Sequence, residues 1–409
     1  MKDKKSLKQD KGLVPRLRFP EFRDAGPWEV KRLGDFLSES RIKGNKGDVA
    51  KKLTVKLWGK GVYAKNNDVR GSANTQYYRR SAGQIIYSKL DFLNQAFGII
   101  PPELDGYEST IDLPCFDVND EADTRFILEY IKREAFYKKV GDIADGSRKA
   151  KRIHQDIFLS FPVFFPSLPE QQKIADCLSS LDELIELEGK KLEALKAHKK
   201  GLMQQLFPRE GETTPRLRFP EFRDAGPWEV STFGRVATFI NGRAYKQAEL
   251  LSKGKYRVLR VGNFFSNDEW YYSNLELDED KYCNDGDLLY AWSASFGPRI
   301  WHGEKVIYHY HIWKVIENDL LNRDFLFILL DYETEKMKAK SANGLGLLHI
   351  TKSTIEDWKC HFPSPPEQQK IADCLSSLDE LIELQNQKLE ALKAQKKGLM
   401  QQLFPQEVS

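Results

Sequence analysis

The chain has no run approaching the ~20 consecutive apolar residues that a membrane helix needs. With 30% charged residues it predicts a soluble chain. No apolar stretch follows the basic opening "MKDKKSLKQDK", so it is not a secretory signal, and residues 1–14 read as a charged tail. Cysteine is sparse: Cys115, Cys177, Cys283, Cys360 and Cys374 include no CxxC pair. That argues against a zinc ribbon or a disulfide framework and fits a reducing cytoplasm. The formal net charge of +3 is too small to prove a nucleic-acid partner.

Catalytic signatures are missing as well. There is no GxxxxGK[ST] phosphate loop, no NPPY- or DPPY-like motif for methylating a base, and no glycine-rich cofactor loop after a strand. "NGLGLLH" reads as a loop. His309-Tyr310-His311 places two imidazoles on one face of a predicted strand, but no third spaced ligand accompanies them, so no metal is expected. These absences predict a chain that is not an enzyme.

What is present is repetition. "PRLRFPEFRDAGPWEV" fills residues 15–30 and recurs unchanged at 215–230. A second duplication pairs residues 169–208 with 366–405 and differs at four positions: Glu188/Gln385, Gly189/Asn386, Lys190/Gln387 and His198/Gln395. The offsets are 200 and 197, so the segments between the repeats match in length to three residues while sharing no visible alignment. The linear order is a tail (1–14), a strap with a variable domain (15–166), a long helix (167–207), a linker with the second strap and variable domain (208–363), a second long helix (364–405) and a short tail (406–409).

The long repeat is helical. Ser167-x-x-Glu170 and Ser364-x-x-Glu367 have the form of capping boxes, and Pro169 and Pro366 fall in the first turn. Apolar residues follow at alternating spacings of four and three: Ile174, Leu178, Leu181, Ile185, Leu192, Leu195, Leu202 and Leu206, then Ile371, Leu375, Leu378, Ile382, Leu389, Leu392, Leu399 and Leu403. Glu188 and Lys199 break the first seam; Gln385 and Lys396 break the second. This period of ~3.5 predicts a coiled coil. Two near-identical seams predict antiparallel pairing within the chain, with the variable domains related by a pseudo-twofold axis. Leu184, Leu187, Leu381 and Leu384 lie off the seam and suit a further helix, such as one from another protein.

Both variable segments read as mixed α/β. The first has strand-like runs at 52–59 and 83–89 and a helical run at 122–140; the second has strands at 256–265, 286–294 and 305–316 and a helix at 322–340. The matching order implies one α+β fold used twice. Trp28, Trp58, Trp228, Trp301 and Trp313 are expected in cores. Charge is uneven: residues 31–100 carry 14 Lys/Arg against 5 Asp/Glu, whereas residues 231–363 carry 17 against 18. This balance predicts a basic face in the first half, whereas one in the second, if present, must be local.

Two variable domains of equal size, each followed by "PEQQKIA…LSSLDELIEL", resemble the specificity subunit of type I restriction–modification systems. The lead-ins "RFPEF…WEVKRLGD" (Arg18–Asp35) and "RFPEF…WEVSTFG" (Arg218–Gly234) are similar to that family too. The resemblance implies two target-recognition domains, each reading one half of a bipartite target in double-stranded DNA, with the helices fixing the spacer. It implies a non-catalytic chain that binds no cofactor itself. Its partners would be two methyltransferase subunits holding S-adenosylmethionine and two restriction/translocase subunits using ATP and Mg. The competing readings are a coiled-coil scaffold with two protein-binding domains and no DNA recognition, and an enzyme with an unrecognised site.

Base edges are read by Arg, Lys, Asn, Gln and Ser on loops and strand ends. In the first segment "VRGSANTQYYRRS" supplies Arg70, Ser72, Asn74, Gln76, Tyr77, Arg79 and Arg80. Arg148, Lys149, Lys151 and Arg152 form a dense basic run suited to phosphates. The second segment offers Arg243, Tyr245, Lys246, Gln247, Asn263, Ser293, Ser295, Arg299, Lys340, Ser341 and Asn343. The identical straps are the part expected not to read DNA, and they give a homologous crossover point on either side of the first variable segment.

Overall fold

A computed structural model describes residues 14–65, 71–142, 152–265, 267–293, 295–342 and 350–405. The fold is α+β and falls into two compact units. One joins the residues up to Gly189 to those from Gln387 onward, and the other spans Lys190–Asn386. The division cuts both long helices, Leu168–Leu206 and Pro365–Leu403, near their midpoints.

In the first unit, β1 (Glu29–Arg32) pairs antiparallel with β11 (Pro162–Phe165). The two-residue alternation of a strand turns Val163 and Phe165 inward. A four-stranded sheet has the order β2 (Leu37–Ser40), β10 (Cys115–Val118), β7 (Ile85–Tyr87), β8 (Phe97–Ile99). Strand β7 is buried along its whole length, as expected of a central strand covered on both faces. A second sheet joins β3 (Lys43–Lys46), β6 (Gln76–Arg79) and β9 (Glu108–Ser109), with a hairpin of β4 (Leu53–Val55) and β5 (Val62–Ala64). The helical run expected over 122–140 is two helices, Thr124–Ile131 and Glu134–Asp142. Asp123 caps the first by accepting from the N–H groups of Arg125 and Phe126. At the break, the Arg133 guanidinium lies over the rings of Tyr130 (4.0 Å) and Phe404 (4.7 Å).

The second unit repeats this frame. Strand β12 (Glu229–Thr232) pairs antiparallel with β21 (Lys359–Phe362). Its four-stranded sheet, β13 (Ala237–Asn241), β20 (Ile312–Glu317), β17 (Leu288–Ser293), β18 (Ser295–Ile300), follows the same first-last-middle order. The other sheet differs: β15 (Tyr271–Ser273), β14 (Tyr256–Leu259), β19 (Val306–Tyr308) and β16 (Tyr282–Cys283), with β14 and β19 parallel. The expected strand at 305–316 is therefore two strands, β19 and β20, and His309–His311 form the turn between them rather than a strand face.

The repeated residues have identifiable tasks. In the first unit Arg18 donates through Nε and Nη2 to both carboxylate oxygens of Glu170, each at 2.7 Å, and through Nη1 to the Gly26 carbonyl. Trp28 Nε1 also donates to Glu170. Arg218, Glu367 and Gly226 repeat the fork and the carbonyl contact. The capping-box reading of Glu170 and Glu367 is thereby corrected, because these carboxylates clamp the strap. The next residue, Gln171, accepts from the Asp123 N–H and donates to the Pro166 and Glu121 carbonyls; Gln368 does the same with Asn322, Pro363 and Leu320. The "EQQ" motif thus ties strap, sheet and helix of each unit to the start of its long helix.

Each unit buries the end of the other long helix in its core. Trp28 meets Phe126 at 5.8 Å and Phe404 at 6.0 Å; Trp228 meets Phe207 at 5.6 Å and Phe325 at 6.1 Å. The helices are antiparallel, since in the first unit Asp182 pairs with Lys396 while the later Glu188 pairs with the earlier Lys388. In the second unit Lys199 donates to both oxygens of Asp379, at 2.6 and 2.7 Å. Three of the four seam breaks are therefore ionic cross-links between the helices. Ile174, Leu178, Leu192, Ile371, Leu375 and Leu389 are buried; Leu181, Ile185, Leu195, Leu378, Ile382 and Leu392 are half-buried. Among the tryptophans, Trp58 departs from expectation: it is 59% exposed, at φ 60°, on the turn joining β4 and β5.

Candidate nucleic-acid interface

The structure sorts the candidate readers by whether their polar atoms are already engaged. In the first unit Arg80 is buried, with Nε on Ser109 Oγ (2.8 Å), Nη1 on the Ser40 carbonyl (2.7 Å) and Nη2 on the Leu113 carbonyl (3.1 Å). It holds strands together and is removed from the surface set. The Gln76 amide donates to the Gly44 and Tyr77 carbonyls, at 2.9 and 2.7 Å, which uses both of its hydrogens. Tyr77 is half-buried. Ser72, Asn74 and Arg79 remain exposed; Ser72 Oγ accepts from the Asn74 N–H. Arg152 is exposed and pairs with Asp112 at 3.3 Å. Arg70, Arg148, Lys149 and Lys151 lie outside the described residues.

Strand pairing adds residues that sequence reading missed. Tyr78 stands opposite Lys43, and Gln76 opposite Lys46. Both lysines are exposed, so the 71–79 run and β3 together present Lys43, Lys46, Asn74 and Arg79. The excess of Lys/Arg over residues 31–100 was the available signal.

In the second unit Arg243 forms a fork with Glu249 (2.7 and 2.9 Å), and the Tyr245 hydroxyl is buried, which pushes its pKa up. Asn263 sits in the short helix Val261–Phe265 and ties it down: its side-chain oxygen accepts from the Arg260 N–H, and its amide donates to the Asn267 and Glu269 carbonyls. Ser293 is buried, at 6% exposure. These four are built into the domain. Lys246, Gln247 and Arg299 are exposed, with the Arg299 guanidinium 5.1 Å from the Phe265 ring centroid. Ser295 lies in β18, and Lys340 and Ser341 at the end of helix Arg323–Ala342; Asn343 lies outside the described residues. Among the described residues, no group of three or more His, Cys, Asp or Glu forms a metal-type cluster. Nor is any helix among them long and apolar enough to cross a membrane.

The frame is thus duplicated while the exposed polar residues on it differ. The profile of the family described as the type I restriction modification DNA specificity domain matches residues 26–197 and again 226–394. The chain belongs to this family. The MjaVIII type I restriction enzyme specificity subunit of Methanocaldococcus jannaschii is 26% identical over 95% of this chain and 93% of its own length. The putative MjaX specificity subunit of the same organism is 27% identical over 68% of this chain and 66% of its own. Among solved structures, the type I restriction–modification S subunit from M. genitalium shares the fold at a TM-score of 0.61, with 15% identity over 97% of this chain and 100% of that one. As a member of the specificity-subunit family, the chain carries one specificity domain per unit, and the straps and "EQQ" helices are the shared frame of both.

Proposed function

We propose that the chain is the non-catalytic reader of a type I restriction–modification complex. Each unit reads one half of a bipartite, asymmetric target in double-stranded DNA. The paired helices set the spacer and dock two methyltransferase subunits, and two restriction/translocase subunits complete the assembly. S-adenosylmethionine, ATP and Mg belong to those partners. The observation that carries this reading is the duplicated frame with unlike surfaces: Arg18–Glu170 and Arg218–Glu367 hold equivalent straps, while Lys43, Lys46, Asn74 and Arg79 of one unit have no counterpart in Lys246, Gln247 and Arg299 of the other.

The test is the adenine-methylation pattern of DNA from cells expressing this chain with its methyltransferase subunit. A two-part motif with a fixed spacer is expected, and replacing residues 31–166 with another variable domain should change one half alone. Unmethylated DNA, or a motif unaffected by the exchange, would favour a protein-binding scaffold.

A further inference from the structure

The variable part of the second unit has almost balanced charge, so any contact with a polyanion must be concentrated. One concave site meets that need. A cavity of about 200 Å³ lies between the short helix Val261–Phe265 with the segment after it and the β19–β20 turn, lined by Arg260, Asn263, Asn267, His309 and His311. Neither Asp nor Glu is among the described residues lining it. Arg260 is exposed and has no carboxylate partner among the described residues, unlike Arg243, Arg257 and Arg323, which pair with Glu249, Glu304 and Glu317. Its guanidinium is steadied over the Tyr271 ring, at 5.1 Å.

The walls are fixed. The Asn263 amide closes the loop on Asn267 and Glu269, and the Asn267 carbonyl oxygen accepts from the Glu269 N–H, which leaves the Asn267 amide hydrogens as donors. The opposite wall is held by His309 N–H on the Leu259 carbonyl (2.9 Å), Tyr310 N–H on the Arg243 carbonyl (3.0 Å) and Trp292 Nε1 on the Tyr310 carbonyl (2.8 Å). Gly242 permits this packing, since a Cβ there would stand 2.4 Å from the His309 carbonyl oxygen. Burial, with His311 and Arg260 nearby, pushes the His309 pKa down to about 4, so the ring is neutral at pH 7. The His311 N–H approaches His309 Nδ1 at 3.5 Å, a long contact that favours the tautomer with the ring proton on Nε2, where it can donate.

We infer that this cavity is a phosphate pocket, in which Arg260, Asn267 and His309 hold one backbone phosphate of the DNA target and so fix the register of the second unit on its half-site. The inference rests on the DNA-reading function proposed above. A guanidinium and neutral N–H donors around a cavity smaller than the ~300 Å³ at which drug-sized sites begin suit a phosphodiester rather than a nucleoside. Phosphate contacts position a protein without carrying sequence information.

The full-length chain and its Arg260→Gln variant are titrated with a labelled duplex of random sequence across ~50–200 mM salt. Ring resonances of His309 are followed while inorganic phosphate is added. Arg260→Gln should melt with the wild type, since the side chain is exposed. It should bind random and methylation-target duplexes about tenfold more weakly and lower the salt slope by about one. Phosphate should shift the His309 ring in the wild type only. Asn267→Ala should weaken both duplexes with the slope unchanged. An unchanged slope for Arg260→Gln, or a loss confined to one sequence, overturns the phosphate assignment and leaves DNA reading standing. Phosphate shifts with no duplex bound by the wild type overturn the DNA-reading function, and with it the assignment to DNA backbone.

Discussion

Arg18 and Glu170 form a buried fork of two 2.7 Å contacts, and Arg218 and Glu367 form the same fork in the second unit. The side chains of the first pair are 7% and 1% exposed. Removing one partner of a buried ion pair leaves the other charge unsolvated, at about 3–5 kcal/mol. Arg18→Ala should therefore lower the denaturant midpoint sharply, and Arg218→Ala should do the same through the second unit. Replacing both members of one fork, Arg18→Met with Glu170→Leu, should recover much of the loss, because no uncompensated carboxylate remains. Urea unfolding of the single and double variants checks this. Equal loss in the single and the double variant would refute the stranded-charge account and assign the loss to the missing fork and the unpaired Trp28 Nε1.

A second buried ionic cluster, within the first unit, joins helix Thr124–Ile131 to the two long helices. Lys396 lies 3.0 Å from Glu129 and also pairs with Asp182, and Lys132 lies 2.8 Å from Glu129. Burial would push the Glu129 carboxyl up, but Lys132 and Lys396 outweigh it and hold it below its ordinary value. A lowered folded-state pKa contributes stability above the unfolded value, near 4.5, that is lost as pH falls through the folded one. Thermal melts of the wild type should therefore weaken more steeply below about pH 4.5 than those of Glu129→Gln. At neutral pH Lys396→Met should cost about 3 kcal/mol, because Glu129 keeps only Lys132. Parallel acid profiles for wild type and Glu129→Gln would refute the assignment.

Leu187 and Leu384 occupy equivalent helix positions, and each is 62% exposed. Leu184 and Leu381 lie one turn away on the same helices, at 37% and 50%. Leu187→Ser and Leu384→Ser should leave the melting temperature within about 1 °C, as expected of surface changes worth under ~0.5 kcal/mol. If these leucines receive the methyltransferase subunits, each change should reduce co-purification of that subunit. Undiminished co-purification would move the docking surface elsewhere.

The frame was legible because it follows periodic or repeated rules. The seam spacing gives the long helices to within a residue or two, and the four-three spacing marks which leucines turn inward. Local sequence does not report distant partners. Ser167-x-x-Glu170 fits a capping box as well as a clamp, and only the fold brings Arg18 to Glu170. The same limit applies at the interface. Arg80 and Arg79 are adjacent in a basic run, yet Arg79, the last residue of β6, stays exposed, and Arg80, just past the strand, is buried among the Ser40 and Leu113 carbonyls. His309 and His311 read as one strand face because nothing in "VIYHYHIWKV" shows that the chain turns there. A lone arginine just past a strand, like Arg260, has no local signature; only the fold sets it beside the His309–His311 turn.

That difference between Arg79 and Arg80 yields the sharpest test of the first unit. Arg80→Ala should act on folding: it strands the Ser40 and Leu113 carbonyls and opens a cavity, at about 2–4 kcal/mol. Its effect on DNA should appear only as the folded fraction falls, equally on any sequence. Asn74→Ala and Arg79→Ala should leave the melt unchanged, since both side chains are exposed. If Asn74 touches a base edge, its loss should cost about 1–3 kcal/mol on the intact half-site and little on a duplex altered there, with the other half-site unaffected. If Arg79 touches phosphate, its loss should weaken every duplex alike and reduce the salt slope by about one. Binding isotherms on the intact target and on targets scrambled in either half distinguish these patterns. A sequence-specific defect in Arg80→Ala at full folding would return that buried guanidinium to the reading surface.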